Sequence, residues 1–143
     1  PRRRALETAA AIAAPRGLAV EAIDDLRELD FGELEGRTYE EIAATQPELY
    51  ARWMETPTQV RFPGGESFEG LRARVIGAVE DLRERHAAGT VLAVTHGGPV
   101  RAVVADALEM RAERIFRLAV DTASVTEVEW LDGVPVVRSL NAR

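Results

Sequence analysis

An apolar run that delivers a histidine and then breaks at a Gly-Gly-Pro turn, Val91-Leu92-Ala93-Val94-Thr95-His96-Gly97-Gly98-Pro99, constrains this chain more than any other stretch. The run has strand length and predicts a strand through Thr95. Pro99 suits the first helical position, where its missing N–H is not needed. The imidazole of His96 therefore lies beside a helix N-terminus, where unpaired N–H groups and the macrodipole favour an anion. A phosphate is the natural guest. A lone histidine more often just ends a buried strand, but the paired glycines let backbone approach a ligand closely and tip the reading toward a site.

A chain of 143 residues with 46% apolar content is long enough for one domain, residues 1–143, with a real core. Its formal charge of -6 argues against nucleic acid or an anionic membrane as partner, so an anionic ligand must be held by a local cluster. The absence of cysteine excludes disulfides and thiolate metal sites and fits a reducing, cytoplasmic setting. No apolar run approaches the roughly 20 residues that span a bilayer, so a soluble chain is expected. Pro1-Arg2-Arg3-Arg4 leads without a methionine into Leu6, Ala9, Ala10 and Ala13 at helical spacing, which predicts that sequence upstream is missing.

Pro15-Arg16-Gly17 ends that first helix, and Leu18-Ala19-Val20 predicts a short strand. Thr38 with Glu41 forms a capping-box pattern, and Pro47 can begin a further helix. Ser67 is the expected cap of the longest helix, whose stripe of Phe68, Leu71, Val75, Val79 and Leu82 has the spacing of a buried face. The helix after His96 should turn Val100, Val103, Val104, Ala107 and Leu108 inward, with a shorter helix near residues 113–118. Thr126, Val128 and Trp130 alternate along a strand, Asp132-Gly133 supplies hairpin-turn chemistry, and Pro135 puts the returning strand at an edge.

Four ordered segments together resemble the histidine phosphatase superfamily, the phosphoglycerate mutase-like proteins. Arg4-Ala5-Leu6-Glu7-Thr8-Ala9 looks like that family's Arg-Ala-x-x-Thr-Ala segment. Leu26-Arg27-Glu28-Leu29-Asp30-Phe31-Gly32-Glu33-Leu34-Glu35-Gly36 matches its Leu-x-Glu-x-x-x-Gly-x-x-Glu-Gly stretch. Pro63-Gly64-Gly65-Glu66-Ser67 matches the loop before its long helix, and Thr95-His96-Gly97 its second catalytic histidine. The resemblance covers essentially the whole chain. It implies an α/β fold: a three-layer α/β/α sandwich with a mostly parallel sheet, here without its N-terminal strand and helix. The family's nucleophile sits in an upstream Arg-His-Gly motif that this chain does not contain, and His86, at the end of an amphipathic helix, is no substitute for it.

The resemblance assigns catalytic roles to His96, Glu28 and Arg4. Arg4, His96 and the Gly97 backbone would grip phosphoryl oxygens, and Glu28 would protonate the leaving alkoxide and then activate water. No cofactor and no divalent metal is called for. The stretch between Tyr50 and Pro63 is too short for the arginine-rich insertion of the mutases, which favours the small phosphatase branch, broad-specificity or alpha-ribazole phosphatase-like, acting on a small phosphorylated metabolite. A cofactor-dependent phosphoglycerate mutase is the alternative, and a non-catalytic phosphate-binding module the alternative of another class. Substrate discrimination falls to residues 39–66, with Arg61, Phe62 and Trp53 as candidate substrate contacts; a small satellite core is an equal reading of Trp53 and its neighbours. A homodimer is left open.

Overall fold

The computed structural model describes residues 2–143. Helix α1 (Arg3–Ala13) starts with no side-chain cap and with basic residues against its dipole. A 2.6 Å pair from Arg3 to Glu7 offsets part of that cost. Pro15 and Gly17 end the helix as expected. Helix α2 (Tyr39–Thr45) opens on the anticipated capping box: Glu41 N–H donates to Thr38 Oγ1 at 3.2 Å, and Thr38 N–H donates to Glu41 Oε2 at 2.8 Å. Helix α3 (Pro47–Glu55) has its proline in the first turn. Ser67 caps α4 (Phe68–Arg85) by accepting from Gly70 N–H at 3.2 Å, and α5 (Gly97–Ala107) begins directly after His96.

The hairpin forms at the expected place. β1 (Val125–Leu131) pairs antiparallel with β2 (Val134–Ala142), and Trp130 stands opposite Pro135. Asp132 and Gly133 both have positive φ, as a tight two-residue turn requires.

One core cluster joins Phe68, Leu71 and Val75 of α4 to Ala102, Val104 and Ala105 of α5, closed by Ile115 and Leu118 from the 3-10 segment Ala112–Arg117 and the residue after it. A second holds Leu34, Ile42, Leu49, Val60 and Phe62. Leu29 packs against both. The residue next to Glu28 is thus pinned where the two cores meet.

Two expectations are not met among the described residues. The only sheet ladder among the described residues is the antiparallel hairpin, so the mostly parallel sheet is not formed here. Residues 18–23 and 90–96 have no regular structure, and neither joins a strand ladder. A buried parallel strand depends on neighbours on both sides, and without them Leu18 and Leu92 stay 64% and 63% exposed. Leu108 is also exposed rather than inward: α5 buries Ala102, Val104 and Ala105, and Leu108 falls just beyond its last turn.

Candidate active site

The site is built from three chain segments. His96 is the residue before α5, in extended conformation, so its imidazole lies beside the first turn of that helix, whose leading N–H groups have no intrahelical acceptors. Thr95 Oγ1 donates to the carbonyl of Leu26 at 2.6 Å, which ties the histidine's segment to the stretch that carries Glu28. Glu28 then reaches α5 itself. Its Oε2 accepts from Gly98 N–H at 3.3 Å and its Oε1 from Leu29 N–H at 2.8 Å.

That approach depends on glycine. A Cβ on Gly98 would lie 2.2 Å from Glu28 Oε1. The second glycine after the histidine therefore makes room for the carboxylate on the helix terminus.

Arg4 stands in the first turn of α1, exposed, and among the described residues its guanidinium has no hydrogen-bond partner. Its charge is nevertheless felt at His96. The imidazole pKa lies below the ordinary 6.5, first because burial disfavours the cation and then because Arg4 repels it; Glu28 partly offsets this and Arg2 adds to it. His96 is accordingly neutral in the ligand-free protein at pH 7. The sign of the linkage follows: with the folded-state pKa depressed, this group's contribution to stability is present above pH 6.5 and is lost as pH falls through the folded-state value. Arg2 itself is held by Glu35 at 2.5 Å, bridging the start of α1 to the glycine-punctuated stretch.

An arginine with unused donors, an imidazole with no hydrogen bond among the described residues, and a helix N-terminus are each groups whose chemistry suits a tetrahedral anion. A carboxylate beside them can exchange a proton with whatever the anion is bonded to. Among the described residues no three His, Asp or Glu side chains converge as a metal site.

The candidate substrate contacts divide. Phe62 is 2% exposed inside the second core, so its assignment to substrate is withdrawn: a ring with no open face cannot touch a ligand. Trp53 is half-buried and packs against Phe31, Phe62 and Tyr39 at centroid distances of 5.7, 5.1 and 5.3 Å. This is the satellite-core arrangement. Arg61 is exposed, while its backbone bridges to Ser67 at the entry of α4.

Sequence reasoning missed the part-buried ion pair between Arg74 of α4 and Glu66, whose arginine also donates to the Glu28 carbonyl. In the sequence Glu66 stands out only as part of the Pro63-Gly64-Gly65-Glu66-Ser67 loop pattern. The one signal for Arg74 is its position on the longest helix, one residue before buried Val75 and three after buried Leu71.

Comparison with known proteins follows the same lines. The sequence profile described as "Histidine phosphatase superfamily (branch 1)" matches residues 1–143. The chain is 38% identical over 144 residues to "Bifunctional protein Rv2228c" of Mycobacterium tuberculosis, covering 99% of this chain and 39% of that protein. It is 34% identical over 141 residues to "Phosphoserine phosphatase 1" of Hydrogenobacter thermophilus, covering 99% of this chain and 67% of the relative. Among solved structures, the alpha-ribazole phosphatase from Shigella flexneri superposes with a TM-score of 0.85 at 28% identity, over 97% of this chain and 69% of that one. The chain thus spans about two fifths of the length of the first relative and about two thirds of the others.

Proposed function

The chain belongs to the histidine phosphatase superfamily, branch 1, and from that premise we propose that the protein containing it hydrolyses phosphomonoesters of small metabolites through a phosphohistidine intermediate. The observation that carries the reading is the meeting of Glu28, His96 and the charge of Arg4 at the N-terminus of α5.

In this mechanism a histidine nitrogen forms a bond to phosphorus as the ester P–O bond breaks, and Glu28 gives its proton to the departing oxygen. Water then attacks the phosphohistidine, Glu28 takes a proton from it, and inorganic phosphate leaves. Arg4, His96 and the Gly97 N–H hold the three equatorial oxygens throughout, where negative charge collects.

The attacking histidine is not His86, which is exposed at the end of α4 and whose charge is felt at Glu21. Our reading places the nucleophile on an upstream strand. That strand would pair with segments 18–23 and 90–96, completing a mostly parallel sheet in a three-layer α/β/α domain that includes all of residues 1–143. The exposed Leu18 and Leu92 support this, since such a sheet would cover them. No helix among the described residues is long and apolar enough to cross a membrane, and the reading places the protein in the cytoplasm.

The names of two relatives, a phosphoserine phosphatase and an alpha-ribazole phosphatase, support a small phosphorylated substrate. Exposed Arg61 is the residue placed here to meet a second anionic group, with Trp53 acting through the shape of its loop. The connection between α3 and α4, residues 56–67, carries no arginine-rich insertion, which keeps the phosphatase reading ahead of the mutase.

A test is metal dependence. The whole protein should hydrolyse phosphoserine and p-nitrophenyl phosphate at the same rate with and without EDTA, because guanidinium and imidazole neutralise the charge that a cation would otherwise bridge. Activity lost in EDTA and restored by magnesium would contradict the mechanism.

A further inference from the structure

The segment that carries Glu28 has little regular structure of its own. Residues 24–26 form one 3-10 turn, and residues 27–31 have neither helix nor ladder to fix them. An acid that must meet a leaving oxygen needs its backbone held to a fraction of an ångström, because a misplacement of about 1 Å can cost on the order of a hundredfold in rate.

Arg74 supplies the constraint. Its Nη1 donates to the carbonyls of Asp25 at 2.7 Å and Arg27 at 2.9 Å, and its Nη2 to the carbonyl of Glu28 at 3.1 Å. The remaining donors go to Glu66: Nε to Oε2 at 3.0 Å and Nη2 to Oε1 at 2.5 Å. All five N–H groups of the guanidinium are thus engaged, three of them on carbonyls of the segment that carries the acid. Glu66 completes the frame from the other side. Its Oε1 accepts from Asp30 N–H at 3.0 Å, and its own N–H donates to the Asp30 carbonyl at 3.0 Å. Gly65 lets the two loops touch, since a Cβ there would lie 2.4 Å from that carbonyl.

Stability alone is a poor reason for this arrangement. The Arg74 and Glu66 side chains are 12% and 16% exposed, and desolvating such a pair offsets much of its attraction, so that apolar residues of similar volume commonly serve the fold as well. Apolar residues could not hold three carbonyls in register. We infer that Arg74, itself fixed by Glu66, is a positioning residue for proton transfer: it clamps the backbone of residues 25–28 so that the Glu28 carboxylate stays on the first turn of α5. The inference rests on the reading of Glu28 as the acid.

The test uses the whole protein and two variants, Arg74→Lys and Glu66→Gln. Lysine keeps the charge but has no fork, and glutamine keeps the shape but not the charge. Both are compared with Glu28→Gln, on an alkyl phosphate such as phosphoserine, whose leaving oxygen needs a proton, and on p-nitrophenyl phosphate, whose leaving group departs without one. Each positioning variant should lower kcat/KM on phosphoserine by about tenfold or more but on the aryl ester by less than about threefold, with cooperative melting retained. Adding Arg74→Lys to Glu28→Gln should cause no further selective loss, because there is no longer an acid to position.

Equal losses on both substrates, no loss on either, or failure of both variants to fold would overturn the inference. If Glu28→Gln discriminates between the substrates and the positioning variants do not, only the inference fails. If Glu28→Gln does not discriminate, the acid role fails and takes the inference with it.

Discussion

Replacing His96 with alanine should lower kcat/KM of the whole protein by about a hundredfold to a thousandfold, and by the same factor on aryl and alkyl phosphates. The size is that of one preorganised donor removed from the oxygens on which transition-state charge collects. The lack of substrate dependence follows from position: His96 belongs to the oxygens that every substrate shares, not to the bond that breaks. The fold should survive, because the imidazole makes no hydrogen bond to any described residue, and its removal leaves no described donor or acceptor unpaired. Burial also holds the ring neutral, so the variant loses no charge on which the ligand-free structure depends. A melting temperature close to the parent's, with the rate reduced on both substrates, is the expected pair of results. A loss confined to alkyl phosphates would move His96 to the leaving-group side and undo the assignment.

Replacing Glu28 with glutamine should separate the two substrates that His96→Ala treats alike. Loss of a general acid costs on the order of a hundredfold to ten-thousandfold where the leaving oxygen needs a proton. On phosphoserine we expect a kcat/KM loss in that range, while p-nitrophenyl phosphate should lose far less, because kcat/KM reports the step in which the P–O bond breaks. Glutamine can still accept from Leu29 N–H or Gly98 N–H, so local structure should persist. Gly98→Ala should give the same pattern by another route, since its methyl group would occupy the place of Glu28 Oε1. Equal losses on the two substrates would remove Glu28 from the acid role.

Much of this was legible where the controlling interaction is local. The Thr38–Glu41 capping box, the Ser67 cap, Pro47 and the Asp132-Gly133 turn each act within a few residues, and each is present as expected. Apolar character predicts strands at residues 18–20 and 91–95, but a strand exists through its neighbours, and those segments find none among residues 2–143. Phe62 and Trp53 show a related limit. Aromatic residues in a loop suit a pocket wall or a small core equally well in one dimension, and only the packing of Phe31, Trp53 and Phe62 decides for the core. The Arg74 clamp was illegible for a different reason: three of its bonds go to backbone carbonyls 46 to 49 residues away, and backbone acceptors leave no trace in side-chain identity.

The account stands most directly on the phosphohistidine, and the Glu28→Gln variant of the whole protein offers the way to see it. From p-nitrophenyl phosphate the intermediate forms without help from an acid, but its hydrolysis still needs Glu28 to activate water, so the phosphorylated enzyme should accumulate. Quenching this variant after mixing with radiolabelled p-nitrophenyl phosphate in EDTA should trap close to one phosphoryl group per active site, lost in acid and retained in base, as expected of a phosphorus–nitrogen bond. Label that survives acid but not base, or no labelled protein while substrate is being consumed, would contradict the account.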